Sequence, residues 1–184
     1  SRANLTCEWV KNDWDSIIPN LVSGNYDTII AGMSITEERD KVIDFTQNYM
    51  LPRPSAYVAS SDNADLSGVI AAQTATLQAG YIAESDATLV EFATPDETIS
   101  AVSDGEADAV FADYDYLAPI VEASGGGLMF VGDLVVLGLG TGMGIRESDT
   151  ELKAKFNDAI TSMKDDGSLN KLLIEWFGDN ILTY

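Results

Sequence analysis

Tyr26-Asp-Thr-Ile-Ile-Ala-Gly-Met-Ser-Ile-Thr-Glu-Glu-Arg39 packs a buried strand, a polar strand end and a capped helix start into fourteen residues. Thr28 to Met33 is a short apolar run between turn residues, the pattern of a strand covered on both faces in an α/β sheet. Ser34-Ile-Thr36 leaves the strand's carboxyl end, and Thr36 followed by Glu37 and Glu38 reads as an N-cap with acidic first-turn residues. Arg39 then stands one turn into a helix at the mouth of a parallel sheet, the edge where open α/β sheets bind small ligands. A guanidinium there can grip a carboxylate through two parallel hydrogen bonds. On pattern alone it can equally pair with Glu37 or Glu38 at the surface.

Around this stretch lie 184 residues, 46% of them hydrophobic, enough for one ordinary domain or two small lobes with a core. The formal charge of −20 repels phosphate backbones and anionic membranes, so no nucleic acid is expected as a partner. No apolar run reaches bilayer-spanning length, and Ser1-Arg-Ala-Asn4 has no apolar signal region. With no histidine and one cysteine, Cys7, neither a His/Cys metal site nor a Ser-His or Cys-His nucleophile pair can be assembled. No catalytic residue, metal or cofactor is expected.

Charge also divides the chain. All ten Lys and Arg lie in 1–53 or 146–184, whereas 54–145 holds 14 Asp and Glu and carries −14 of the total. The shift is entered near Leu51-Pro-Arg-Pro54 and left near Gly138-Leu-Gly-Thr-Gly142. It points to a second lobe, 53–142, inserted into a discontinuous first lobe of 1–52 and 143–184. A solvated acidic surface explains the charge itself more simply than a cation-binding role.

Element by element, Asp13 or Asp15 can cap a helix running to Val22, with Ile17, Ile18, Leu21 and Val22 on one face. Strands are expected at Val42–Phe45, Ser55–Ala59, Gly68–Ala72, Thr88–Phe92, Ala107–Asp113 and Leu128–Val131, with helices over Thr76–Ser85 and Tyr114–Ala123. Thr94-Pro95-Asp96-Glu97 is a clear helix start, with N-cap, N1 proline and capping-box acid. Asp149 and Ser168 cap the last two helices. Trp9 and Trp176 read as core.

One internal echo links the segments: Ser23-Gly-Asn-Tyr-Asp-Thr-Ile-Ile-Ala-Gly32 aligns without gaps on Asp104-Gly-Glu-Ala-Asp-Ala-Val-Phe-Ala-Asp113. Each copy reads as helix end, glycine stop, buried strand. Two such units imply two similar lobes whose strand ends can face a common cleft; chance likeness of common α/β turns is the alternative.

Taken together, Asp13-Trp-Asp15, Ser23-Gly-x-Tyr-Asp27, Ala31-Gly-Met-Ser-Ile-Thr-x-x-Arg39, Asp44-Phe45, Asp108-Ala-Val-Phe-Ala-Asp113 and Gly167…Glu175-Trp-Phe-Gly178 resemble the polar amino-acid-binding proteins of ABC importers, periplasmic solute-binding family 3. The resemblance runs through nearly the whole chain. It implies an α/β, two-lobed fold of the type II periplasmic-binding-protein kind, with a ligand cleft between lobes joined by two strands. It implies a non-enzymatic protein of the periplasm or another extracytoplasmic space, made with a signal peptide in its precursor. Such a protein captures a free amino acid, polar or basic by preference, and delivers it to the ABC transporter permease. By position, Arg39 clamps the α-carboxylate with help from Ser34 and the backbone at Gly32, and Asp113 takes the α-ammonium. Trp14 stands where the family stacks an aromatic ring on the ligand side chain, and Thr76 lies in the second lobe's ligand loop, here Gln73-Thr-Ala-Thr-Leu-Gln78.

The loop departs from the family at Ala75, where glycine is usual, and at Leu77, where a polar residue often reaches the ligand. At the front, the family's first strand and helix of lobe one are absent before Leu5-Thr-Cys-Glu-Trp9; in some members a cysteine just upstream pairs with the one at Cys7. A fragment, a lobe completed from elsewhere, or self-association of an unfinished lobe is then expected. Two other readings share the scaffold, a sensor domain and a dehydratase-like enzyme. Asp113 is the strong acid candidate for the latter, and salt-bridged to an ammonium it would carry protons poorly. Its bland alternative is a helix N-cap for Tyr114 onward.

Overall fold

The computed structural model describes residues 2–179 and 181–184. The chain forms two α/β units, Ser1–Pro52 with Gly138–Tyr184, and Arg53–Leu137.

In the first unit a 3-10 turn at Trp14–Ser16 runs into α1 (Ile17–Val22), and Gly24, at φ +81, ends it before β1 (Thr28–Ile29). Asp13 and Ser16 occupy the two cap positions without making a side-chain cap bond. The strand expected to reach Met33 stops early, because the backbone turns at Gly32 with φ +69. Nor does a full helix follow. Thr36 Oγ1 accepts the Arg39 N–H at 3.0 Å, but only a 3-10 turn forms, over Arg39–Lys41, before β2 (Asp44–Phe45).

The second unit comprises β3 (Pro54–Ala59), β4 (Val69–Gln73), α2 (Leu77–Ala83), β5 (Thr88–Phe92), α3 (Pro95–Ser103), β6 (Ala109–Asp113), α4 (Tyr114–Ala123) and β7 (Met129–Val136). Its sheet has the order β5-β4-β6-β3-β7, with β5, β4 and β6 parallel and β3 antiparallel to both its neighbours. Side chains alternate across β6. Val110 joins the cluster with Ala101, Val102 and Leu117, whereas Ala109 and Phe111 join the one with Ile70 and Ile82. Both faces are therefore covered, as a near-continuous apolar strand requires. The capping box at the start of α3 forms in full, the Thr94 and Glu97 side chains each bonding the other's backbone N–H, with Pro95 at the helix start.

The return to the first unit comes at Gly138, earlier than the expected 143. Residues 139–142 thread between two segments of that unit: Ile35 N–H donates to Gly140 O at 2.8 Å, and Thr141 N–H donates to Met50 O at 2.9 Å. Gly140 has φ +93, and a Cβ there would lie 2.6 Å from Met50 O, so only glycine fits the pass. β8 (Gly144–Ile145), α5 (Thr150–Asp165) and α6 (Ser168–Phe177) complete the unit. β8 sits between β1 and β2 and pairs antiparallel with both, so Arg39 does not stand at the mouth of a parallel sheet. Leu21, Ile29, Met33, Ile43 and Phe45 form the core there.

Two capping expectations are corrected. Asp149 makes no cap bond; it pairs instead with Arg146 at 2.6 Å, and Arg146 also holds Asp27 at 2.8 Å. α6 takes Gly167, at φ +70, as its cap residue in place of Ser168. Trp9 and Trp176 are not core: they are 76% and 75% exposed. Trp176 follows buried Leu173 at a helical interval, but periodicity marks a face of a helix without supplying an element to cover it. Trp9 lies in a stretch without helix or strand and borders an apolar groove of about 980 Å³ that also involves Val10, Ile29, Ile30, Phe156 and Leu172. Cys7 is a free, exposed thiol.

Candidate functional site

The first unit brings Arg39, Ser34 and Trp14 together. Arg39 Nη1 donates to the Ser34 carbonyl at 2.9 Å, and its guanidinium carbon lies 5.6 Å from the centre of the Trp14 ring. A cation held over an indole face is attracted by the ring's quadrupole, which favours one placement of the guanidinium. Burial lowers the Arg39 pKa and the charge of Glu38 raises it, yet a guanidinium stays protonated at any physiological pH. Trp14 is half-buried and packs against the Leu21 and Ile29 cluster, so core and stacking roles coexist in one ring. Gly32 is exposed, with nothing within 4 Å of where a Cβ would stand. Its φ of +69 turns the strand end, and the adjoining bridge from Ser34 to Thr141 ties the residues after it to the return segment.

The second unit brings Asp113, Gln78, Ser55, Arg53 and Asp115 together. Asp113 ends β6 and occupies the cap position of α4, but its side chain makes no cap bond. Asp113 is thus the N-cap residue by position, but its side chain does not do the capping. Its Oδ1 instead accepts from Gln78 Nε2 at 2.7 Å, and the same nitrogen donates to Ser55 Oγ at 2.9 Å. Ser55 lies opposite Asp113 in the β3–β6 register and is buried. Arg53 pairs with Asp115, and its Nη1 is buried without a hydrogen-bond partner among the described residues. Asp113 keeps an accessible edge while protein atoms crowd out much of its water. That desolvation raises its pKa; the Gln78 hydrogen bond pulls it back, Asp115 raises it further, and Arg53 lowers it.

Thr76 has a structural task. Its Oγ1 accepts the Ala79 N–H at 3.2 Å as the cap of α2 and donates to Gln73 O at 2.6 Å. Ala75, in the place of the family's glycine, still adopts the left-handed conformation, with φ +57. Tyr116 donates to Asp96 at 2.9 Å, and Tyr114 stacks on Phe130 with centroids 4.8 Å apart, so both rings serve the packing of this unit. Gln78 and Ser55 escape a sequence reading because they meet Asp113 only through the antiparallel register of β3 on β6 and the first turn of α2. The sole linear hint is Gln78 closing the loop that begins at Gln73.

Residues 1–179 match the bacterial extracellular solute-binding proteins, family 3. The chain belongs to that family. As an extracellular solute-binding protein it has well-matched relatives of known structure. A periplasmic His/Glu/Gln/Arg/opine family-binding protein from Silicibacter pomeroyi, in complex with lysine, is 75% identical with a TM-score of 0.98, over 100% of this chain and 84% of that one. An ancestral amino acid-binding protein, a precursor of cyclohexadienyl dehydratase, is 32% identical with a TM-score of 0.78, over 92% of this chain and 76% of that one. The L-arginine-binding protein of Pseudomonas aeruginosa is 30% identical over 96% of this chain and 74% of its own length. Among the described residues of this family 3 protein no helix is long and apolar enough to cross a membrane, and no group of acidic or cysteine side chains could hold a metal.

Proposed function

We propose that this solute-binding protein works in the periplasm, captures a free amino acid with a basic side chain, and delivers it to the permease of an ABC transporter. Arg39 takes the α-carboxylate, with the Ser34 and Gly32 backbone beside it, and Asp113 takes the α-ammonium. The observation that carries this reading is the free service of Asp113: at a helix cap position, where an aspartate normally bonds backbone N–H groups, its carboxylate is held by Gln78 and keeps an accessible edge. The basic side chain is supported by the lysine held in the 75% identical relative and by the arginine named for the Pseudomonas relative.

The same geometry supports binding without turnover. An Asp113 carboxylate neutralised by an ammonium is a poor acid or base, so incubation with candidate dehydratase substrates should yield no product. Thermal-shift screening tests the ligand class, because a ligand that binds only the folded state raises stability with its concentration. L-Lysine and L-arginine should stabilise the protein, and their methyl esters and N-acetyl forms should not. If a derivative matches its parent, or if only sugars or peptides stabilise, the amino-acid reading is wrong. Self-association belongs to this proposal too, since β1 is an edge strand and Trp9, Val10 and Ile30 leave apolar surface exposed near it. Light scattering should show mass rising with concentration; a monomer at all concentrations removes that part.

A further inference from the structure

We propose that Gln78 is a positioning residue, which fixes the Asp113 carboxylate and keeps it ionised for an ammonium, with Ser55 as its anchor. The inference rests on the amino-acid reading above and adds a group that does not touch the ligand in order to act. A carboxylate on the last residue of a strand can rotate about its Cβ, and two partners compete for it here. One is the cap position of α4, whose backbone N–H groups would draw it in; the other is the Gln78 amide, which holds it at 2.7 Å. A primary amide has two N–H donors on one nitrogen, and both are used: one on Asp113 Oδ1, the other on buried Ser55 Oγ at 2.9 Å. Ser55 is fixed in turn by its place opposite Asp113 in the β3–β6 pairing, so amide, hydroxyl and carboxylate form a closed set on adjoining elements.

The amide matters because of what else faces Asp113. Asp115, in the first turn of α4, opposes its ionisation, and Arg53, ahead of β3, favours it but spends one edge on Asp115. Gln78, on α2, is the neutral donor that stabilises the charged form directly and takes no charge of its own to the site. Replacing it leaves a carboxylate that is both more easily protonated and freer to swing toward the helix start. Either change costs ammonium affinity through Asp113.

Carbon-detected NMR titration of the Asp113 carboxyl in the ligand-free protein tests this, with the resonance assigned by its loss in Asp113→Asn. Gln78→Met should move its midpoint up by roughly one pH unit, the effect of removing a hydrogen bond to a charged group. Ser55→Ala should move it the same way by less. With L-lysine as probe, Gln78→Met should weaken binding on the order of tenfold near neutrality, and the acid limb of the affinity profile should move to higher pH by the same amount as the carboxyl. A midpoint unchanged in both variants overturns the positioning role. A different outcome marks failure of the amino-acid reading itself: L-lysine binding equally well to the wild-type protein and to Asp113→Asn.

Discussion

Ser23–Gly32 and Asp104–Asp113 carry the same ten-residue pattern, yet one yields a two-residue strand at a sheet edge and the other a five-residue strand in a sheet interior. Their shared part is local. Both helices stop at a glycine in the left-handed region, Gly24 at φ +81 and Gly105 at φ +77, and both strands begin at the same interval after it, at Thr28 and Ala109. Their difference is not local. β6 has β4 on one side and β3 on the other, so the ladder holds the backbone extended to Asp113. Among the described residues β1 has only β8 beside it, and the return segment 139–142 then takes the hydrogen bonds of residues 33–35, so the chain bends at Gly32. Strand length here is thus a property of neighbours, while the glycine stop is a property of the sequence.

Substitutions can break or sharpen that comparison. The largest effect is expected in the strands: Phe111→Ala, in the doubly covered strand, should cost about 3–5 kcal/mol, and Ile29→Ala about 2–5 kcal/mol. Both side chains are buried, at 0% and 2% exposure, so chemical denaturation should show two comparable losses even though the strands differ in length. Losses confined to Phe111 would mean that β1 contributes little to its unit. Next come the glycine stops, where Gly24→Ala and Gly105→Ala each place a Cβ in open space but in a left-handed backbone, at about 1–2 kcal/mol apiece. Unequal costs would show that the two copies are alike in sequence only.

A smaller effect separates binding from stability. Because the folded protein raises the Asp113 pKa, the ionised carboxylate opposes folding, and that penalty is present at neutral pH and disappears as pH falls below the unfolded value. Asp113→Asn should therefore melt slightly above wild type at pH 7, and the two should converge near pH 3, while lysine binding is lost. A lower melting temperature at pH 7 would mean that the carboxylate stabilises the fold as a cap or ion pair. The smallest effect is expected at Ala75. Glycine there relieves a left-handed alanine but loosens the unfolded chain, two terms of about 1 kcal/mol and opposite sign, so Ala75→Gly should leave the melting temperature nearly unchanged. A full helix-type Ala→Gly loss would show that the conformation carries no strain.

Much of this was legible in advance, and the limits have physical causes. Thr94, Pro95 and Glu97 form their capping box because every partner lies within three residues. The α4 span coincides with its apolar pattern because helix hydrogen bonds are also local, and β5 coincides with its own although its partner β4 is distant in sequence. Asp149 and Ser168 have the right side chains for caps, but Arg146 claims the first and the positive φ of Gly167 displaces the second. Trp176 shows that an apolar residue on the right period is buried only if something covers it, and Trp9 lies outside any helix or strand that could have set a period. Around the candidate site, Arg39 and Ser34 sit close in sequence and meet in the structure, while Trp14 comes to Arg39 from a separate element. Gln78, Ser55 and Asp113 are far apart in sequence and meet only through strand pairing.

The central claim is a division of labour, with Arg39 reading the carboxylate and Asp113 the ammonium, and a calorimetric cycle of protein variants against ligand derivatives tests it most directly. Titrating wild type, Arg39→Met and Asp113→Asn with L-lysine, its methyl ester and Nα-acetyl-L-lysine should show a loss on the order of 3–5 kcal/mol for either substitution with the parent ligand. Once Arg39 is gone, esterification should cost little more, and once Asp113 is gone the same should hold for Nα-acetylation, because each residue and its ligand group form one coupled pair. Equal, additive losses in all combinations, or undiminished binding by Arg39→Met, would contradict the account.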